Sequence, residues 1–255
     1  MRSARLLLIG WLLHFKMLSR SSFNSVLGIL YPLFFATVAF FMYREGSPHA
    51  LLYASLGASV MGIWAATSTA AGGALQRERW HGTLELLVAA PAHFSLVMLP
   101  VTLAMSTIGV YSMAATLLWG RLVFGIELHI EHPFVFCVAV VVTIVAVGMC
   151  GFLLAVTFVR YRTAWALGNL LEYPVWLICG FLVPLALFPD WVLPFSWVLA
   201  PTWGMRAIRE AALGGPALTD LGMCALLGAI YTAIGVLIVG RLLDAARRRA
   251  TLALT

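Results

Sequence analysis

Lysine is almost missing from this chain. Lys16 is the single lysine in 255 residues, preceded by Phe15 and followed by Met17. A P-loop needs GxxxxGK and then Ser or Thr, because backbone amides cradle the phosphates while the lysine reaches the outer ones. No such loop can be built here, so the chain carries no P-loop ATPase of its own. Charge of either sign is scarce too: 16 basic and 10 acidic residues make up 10% of the chain, against 62% hydrophobic, and mean hydropathy is +0.99. A water-soluble domain with that composition would expose large apolar patches. The expected class is an all-α integral membrane protein. The charges, though +6 in sum, form no interleaved basic and aromatic patch, and nucleic acid is not an expected partner.

Other absences narrow the chemistry. Cys137, Cys150, Cys179 and Cys224 lie in or beside apolar runs without CxxC spacing, so they read as small apolar residues of packed helices and not as a zinc or disulfide framework. Neither HExxH nor GxSxG occurs, and no enzyme active site is expected. Glu127, His129, Glu131 and His132 in "ELHIEHP" could ligate a metal, but no second ligand cluster accompanies them. They read as a solvated connection. No internal repeat is evident, which weighs against an inverted-repeat secondary transporter. An ATP-independent channel or an intramembrane enzyme likewise has no positive signal.

Long apolar runs dominate what is present. Residues 25–43, 51–74, 94–119, 134–158, 164–187 and 221–239 are each near or above the ~20 residues that cross a bilayer, which predicts six spans in one domain over 1–255. The first twenty residues begin like a signal peptide, but Lys16 and Arg20 stand where a small-residue cleavage site belongs, and the apolar run is too short to span. On a helix, Arg2, Arg5, Lys16 and Arg20 share an arc of roughly 60°, predicting an interfacial helix over 1–22 with its basic side toward lipid headgroups. Between the fifth and sixth runs, Pro184, Pro189, Pro194 and Pro201 forbid one continuous span, while Trp191, Trp197 and Trp203 favour the interface; residues 184–216 are expected to form a re-entrant or surface segment outside the cytoplasm. With cytoplasmic termini, twelve of the sixteen basic residues fall inside; Arg44, Arg121, Arg206 and Arg209 remain outside. The positive-inside rule selects that orientation.

The charged stretch "QRERWHGTLELLVAAP", residues 76–91, then lies in the cytoplasm. Gly82 interrupts it, Thr83 suits an N-cap, Glu85 complements a helix dipole, and Pro91 ends the run, which predicts a loop and a short helix over 84–90. Two readings fit: an ordinary solvated turn, or a docking handle for another protein. Glu172 is the only carboxylate well inside a predicted span. It is either a functional residue of the pathway or a structural one beside Asn169 and Pro174. The small-residue run 65–74 would permit close helix contact.

"RERWHGTLELLVAAP" resembles the cytoplasmic signature of the ABC-2 (type-2 ABC transporter) permease family, and Gly180, Pro184, Pro189, Trp191, Pro201 and Arg206 look like that family's outer segment. The order of these motifs and the predicted spans extends the resemblance over essentially the whole chain. It implies two permease copies, or this chain with a homologous permease, working with separate nucleotide-binding ATPase subunits that hold ATP and Mg. This chain would itself bind no cofactor. It implies that Arg77, Glu78, Arg79, Gly82, Thr83 and Glu85 couple to the ATPase, that Trp191, Trp203 and Arg206 shape the exit, and that the assembly sits in a prokaryotic cytoplasmic membrane among lipid. The Gly-Thr-Leu-Glu form is similar to drug-export members, so amphipathic or lipid-like compounds (drugs, antibiotics or peptides) are the expected cargo. Polysaccharide or lipid-linked glycan export is the alternative.

Overall fold

The computed structural model describes residues 2–20, 22–42, 48–80, 82, 93–158 and 164–249; the side chains of 2, 22–28, 31, 48–50, 70, 72, 74–80, 164–165 and 242–249 stand outside that description. Among the described residues there is no strand. The helices are α1 (Arg2–Ser19), α2 (Ser22–Met42), α3 (Pro48–Trp80), α4 (Phe94–Phe124), α5 (Pro133–Phe158), α6 (Ala164–Ile178), the short α7 (Leu193–Trp197), α8 (Ala200–Leu213) and α9 (Ala217–Arg249). Two single 3₁₀ turns, Leu185–Leu187 and Asp190–Val192, precede α7. Among the described residues, four segments are long and apolar enough to cross a membrane: Leu51–Thr69, Phe94–Phe124, Pro133–Phe158 and Ala217–Arg241. The protein is therefore an all-helical integral membrane protein.

α3 is the central element. It packs against α2, α4, α5, α6 and α8, and 78% of its apolar window is buried, against 28% for that of α9. Close approach is possible because small residues line the crossings. A Cβ on Gly109 of α4 would overlap the Ile63 backbone of α3, and one on Gly151 of α5 would overlap the Thr67 side chain. Without water or a strong hydrophobic drive between helices in lipid, such contact supplies van der Waals attraction that bulky residues would prevent. Part of the 65–74 run is thus used for packing. Two buried threonines are satisfied within their own helices: Thr67 donates to the Ile63 carbonyl at 2.8 Å and Thr143 to the Ala139 carbonyl at 2.7 Å.

Arg5 and Lys16 of α1, and Arg20 just beyond it, are exposed. The opposite face of α1 packs lengthwise on α4. Leu7 joins the cluster around Met98 and Leu99, Gly10 meets Pro100, Trp11 Nε1 donates to Thr107 Oγ1 at 3.1 Å, and Phe15 stacks on Tyr111. The contacts advance together along both helices. α1 therefore follows the flank of α4 and does not cap the end of the bundle.

Two expected boundaries are corrected. The run 164–187 is not one helix, because α6 stops at Ile178. Gly180 has φ +69°, its N–H donates to Leu177, and the Phe181 N–H reaches back to the Trp176 carbonyl at 3.2 Å. This is a Schellman cap, in which left-handed glycine closes a helix however apolar the following residues are. The second correction is at α3, which continues through Trp80 instead of giving way to a loop at Gln76. Charged residues are good helix formers once a helix leaves the apolar layer.

Candidate functional site

Three groups of residues stand at different levels of the bundle. At the far end of α3, Arg77, Glu78 and Arg79 belong to its last turns, and Gly82 follows, exposed and with φ +67°. A positive φ there stops the helix at no steric cost to glycine. Thr83, Glu85 and the expected helix over 84–90 lie outside the described residues.

Midway along, α3 and α6 meet through polar groups. Thr69 Oγ1 donates to Asn169 Oδ1 at 3.5 Å, and the Thr69 hydroxyl is also in hydrogen-bonding reach of the Glu172 carboxyl. Asn169 and Glu172 are three residues apart and so share one face of α6. Glu172 is buried. A hydroxyl carries one hydrogen, so Thr69 can donate to only one of these two α6 acceptors at a time. The sequence singled out Glu172 and Asn169, and the fold brings them together; Thr69 is the partner it did not supply.

The third group is the outer segment. α7 and α8 form a tight helical corner: Trp203 Nε1 donates to the Trp197 carbonyl at 2.8 Å, and the Arg206 guanidinium lies 5.0 Å from the Trp203 ring centroid. Arg206 also pairs with Asp220 of α9 at 3.4 Å. Trp203 and Arg206 are therefore in contact. Trp191 sits on the preceding 3₁₀ turn with most of its side chain exposed.

Two residues of this region were not foreseen. Tyr231 of α9 accepts from the Ala200 N–H at 3.1 Å and donates to the Val198 carbonyl, so a single hydroxyl bridges both sides of the α7–α8 corner. Arg209 of α8 is buried and gives Nη1 to the Gly180 carbonyl at 2.9 Å and Nη2 to the Phe181 carbonyl at 2.6 Å. Both partners are main-chain atoms, which no side-chain motif announces. The one available signal was helical spacing: Arg209 falls on the stripe of α8 that turns Met205, Ile208 and Ala212 inward, and all four are buried together.

The "ELHIEHP" connection serves as a brace. The Glu131 and His132 N–H groups donate to the Ala212 and Ala211 carbonyls at 3.1 Å, covering the end of α8, and His129 pairs with Glu131 at 3.6 Å on the surface.

Among the described residues these groups form no catalytic constellation. No curated protein is similar enough to the chain to count as a match. The family model for ABC-2 type transporters matches residues 6–213, through the whole helical arrangement up to the end of α8. The chain therefore belongs to the ABC-2 type transporter family and is a transmembrane subunit of that class.

Proposed function

We propose that this chain is the permease of an ATP-driven exporter for an amphipathic or lipid-like compound. The observation that carries the reading is α3, one helix that bears Arg77, Glu78 and Arg79 at one end and is enclosed by the bundle along its apolar window. A charged helix end continuing from an apolar bundle is a handle, and the chain has no P-loop with which to power itself. A separate ATPase, holding ATP and Mg, would grip that end together with Thr83 and Glu85. Two permease copies, or this chain and a homologue, would enclose the pathway. In this arrangement the single domain crosses the cytoplasmic membrane six times with both termini inside, and Trp191, Trp203 and Arg206 border the exit. The many apolar and hydroxyl side chains support an amphipathic cargo, because such linings hold ligands by burial and a few polar contacts.

Affinity purification in mild detergent tests the assembly. A Walker-type ATPase should accompany the chain, and a second, different permease would identify a heterodimer. A chain that purifies alone and still moves solute in vesicles without ATP would overturn the proposal. ATP-dependent uptake of a fluorescent amphipathic cation by inverted vesicles tests the cargo; uptake only of a lipid-linked glycan would replace it.

A further inference from the structure

Arg209 makes more contacts than closing one helix requires. Besides Gly180 and Phe181, its Nη2 donates to the Tyr53 carbonyl of α3 at 3.3 Å, and its guanidinium carbon lies 3.3 Å from the Tyr53 ring centroid. One side chain of α8 thus grips the cap of α6 and the first turns of α3. α3 is cut to receive it: a Cβ on Gly57 would overlap the Phe181 carbonyl oxygen and come within 2.6 Å of Arg209 Nη2. A planar fork of five donors suits this site, whereas the point charge of a lysine cannot satisfy three carbonyls in different directions while stacking on a ring. From Tyr53 to Trp80, α3 runs 27 residues, or about 40 Å at 1.5 Å per residue. It has no internal proline, unlike α2, α4 and α6, and its Gly72–Gly73 pair stays within regular helix.

We infer that Arg209 is the positioning residue that fastens the outer α7–α8 corner to α3, so that displacement of the charged end of α3 is delivered to the exit. The inference rests on the ATP-driven reading above. Because the clamp holds α3, α6 and α8 at one point, a tilt of α3 moves the cap of α6 and the start of the outer segment together. Coupling between distant sites needs such a contiguous element biased from both ends.

The test uses the complex with its co-purified ATPase in lipid nanodiscs. Cys137 is replaced by serine because it is the exposed cysteine, the other three being buried, and Phe195→Cys in α7 supplies a reporter at an exposed position. The labelling rate with a hydrophilic maleimide is compared between nucleotide-free and vanadate-trapped complexes. With Arg209 present, the two rates should differ by roughly fivefold or more, the lower end of couplings between linked sites. Arg209→Lys should bring the ratio near one while trapped nucleotide stays unchanged. Retention of the full ratio in Arg209→Lys would overturn the clamp. If Arg209→Lys fails to assemble, Tyr53→Leu, which removes the ring and keeps the carbonyl, must show the loss; failure of both to assemble would make the contact structural only and also overturn the inference. A complex that traps nucleotide with no change at position 195 overturns the inference and leaves the ATP-driven reading standing. Absence of any ATPase overturns that reading and the clamp with it.

Discussion

Tyr231 shows how much a single hydroxyl can carry inside a membrane. The Ala200 N–H and the Val198 carbonyl that it bridges belong to no helix ladder, and lipid offers neither a partner. Tyr231→Phe keeps the ring and removes only that bridge. It should cost ~1–3 kcal/mol, the penalty for unsatisfied buried polar groups, read as a lower unfolding midpoint in detergent. An unchanged midpoint would show that other groups satisfy the corner. Glu172 poses a different question. Its contacts with Thr69 can be reproduced by an amide, so Glu172→Gln should leave expression near normal and lower transport roughly fivefold or more if the carboxylate itself couples movement. Activity that falls only in step with folded protein would assign Glu172 to structure. Such residues were unequally legible in the sequence. A lone carboxylate in an apolar run is conspicuous; Arg209 and Tyr231 are not, because their partners are main-chain atoms 28 or more positions away.

At the scale of elements, the apolar runs identified the helices and hid their ends. Run length reports where oil is needed, but a helix stops where its last carbonyls are satisfied. Hence α3 outlasted its apolar run by continuing into Gln76–Trp80, and α6 fell short of its run because of the cap at Gly180. Helix order was visible from composition, whereas the lengthwise packing of α1 on α4 depends on Gly10 fitting against Pro100, a match between residues far apart in the chain. The α3–α4 crossing provides a controlled pair of substitutions. Gly109→Val must push Ile63 away and should destabilise by ~1–3 kcal/mol, as overpacking does. Gly222 of α9 faces open space, so Gly222→Ala should be neutral or stabilising by up to about 1 kcal/mol. Thermal midpoints of the two variants in one detergent decide the matter; equal effects would refute the close crossing.

The whole molecule adds orientation and coupling. His129 is 81% exposed at its side chain in the connection between α4 and α5. With Cys137→Ser and His129→Cys, an impermeant maleimide should label intact spheroplasts if the termini are cytoplasmic; labelling confined to inverted vesicles would reverse the topology. Charge reversal at Glu85 belongs to the same scale because its proposed effect lies in a partner. Glu85→Arg should leave insertion intact and abolish transport-linked stimulation of the ATPase, whereas wild-type stimulation would remove the 76–91 segment from the mechanism.

The cap at Gly180 has a further consequence for how cargo range could change. Beyond it the chain leaves regular helix within a stretch of apolar side chains, and the polar groups it hands to Arg209 and Tyr231 are peptide carbonyls. Substituting a side chain does not recolour such a surface. Its electrostatic texture is written by where the backbone bends, through glycines and prolines. On the proposed reading of this segment as the border of an exit, selection for a new exported compound should therefore enrich changes at Gly180, Pro184, Pro189 and Pro194, or insertions between them, ahead of exchanges among the neighbouring leucines and valines.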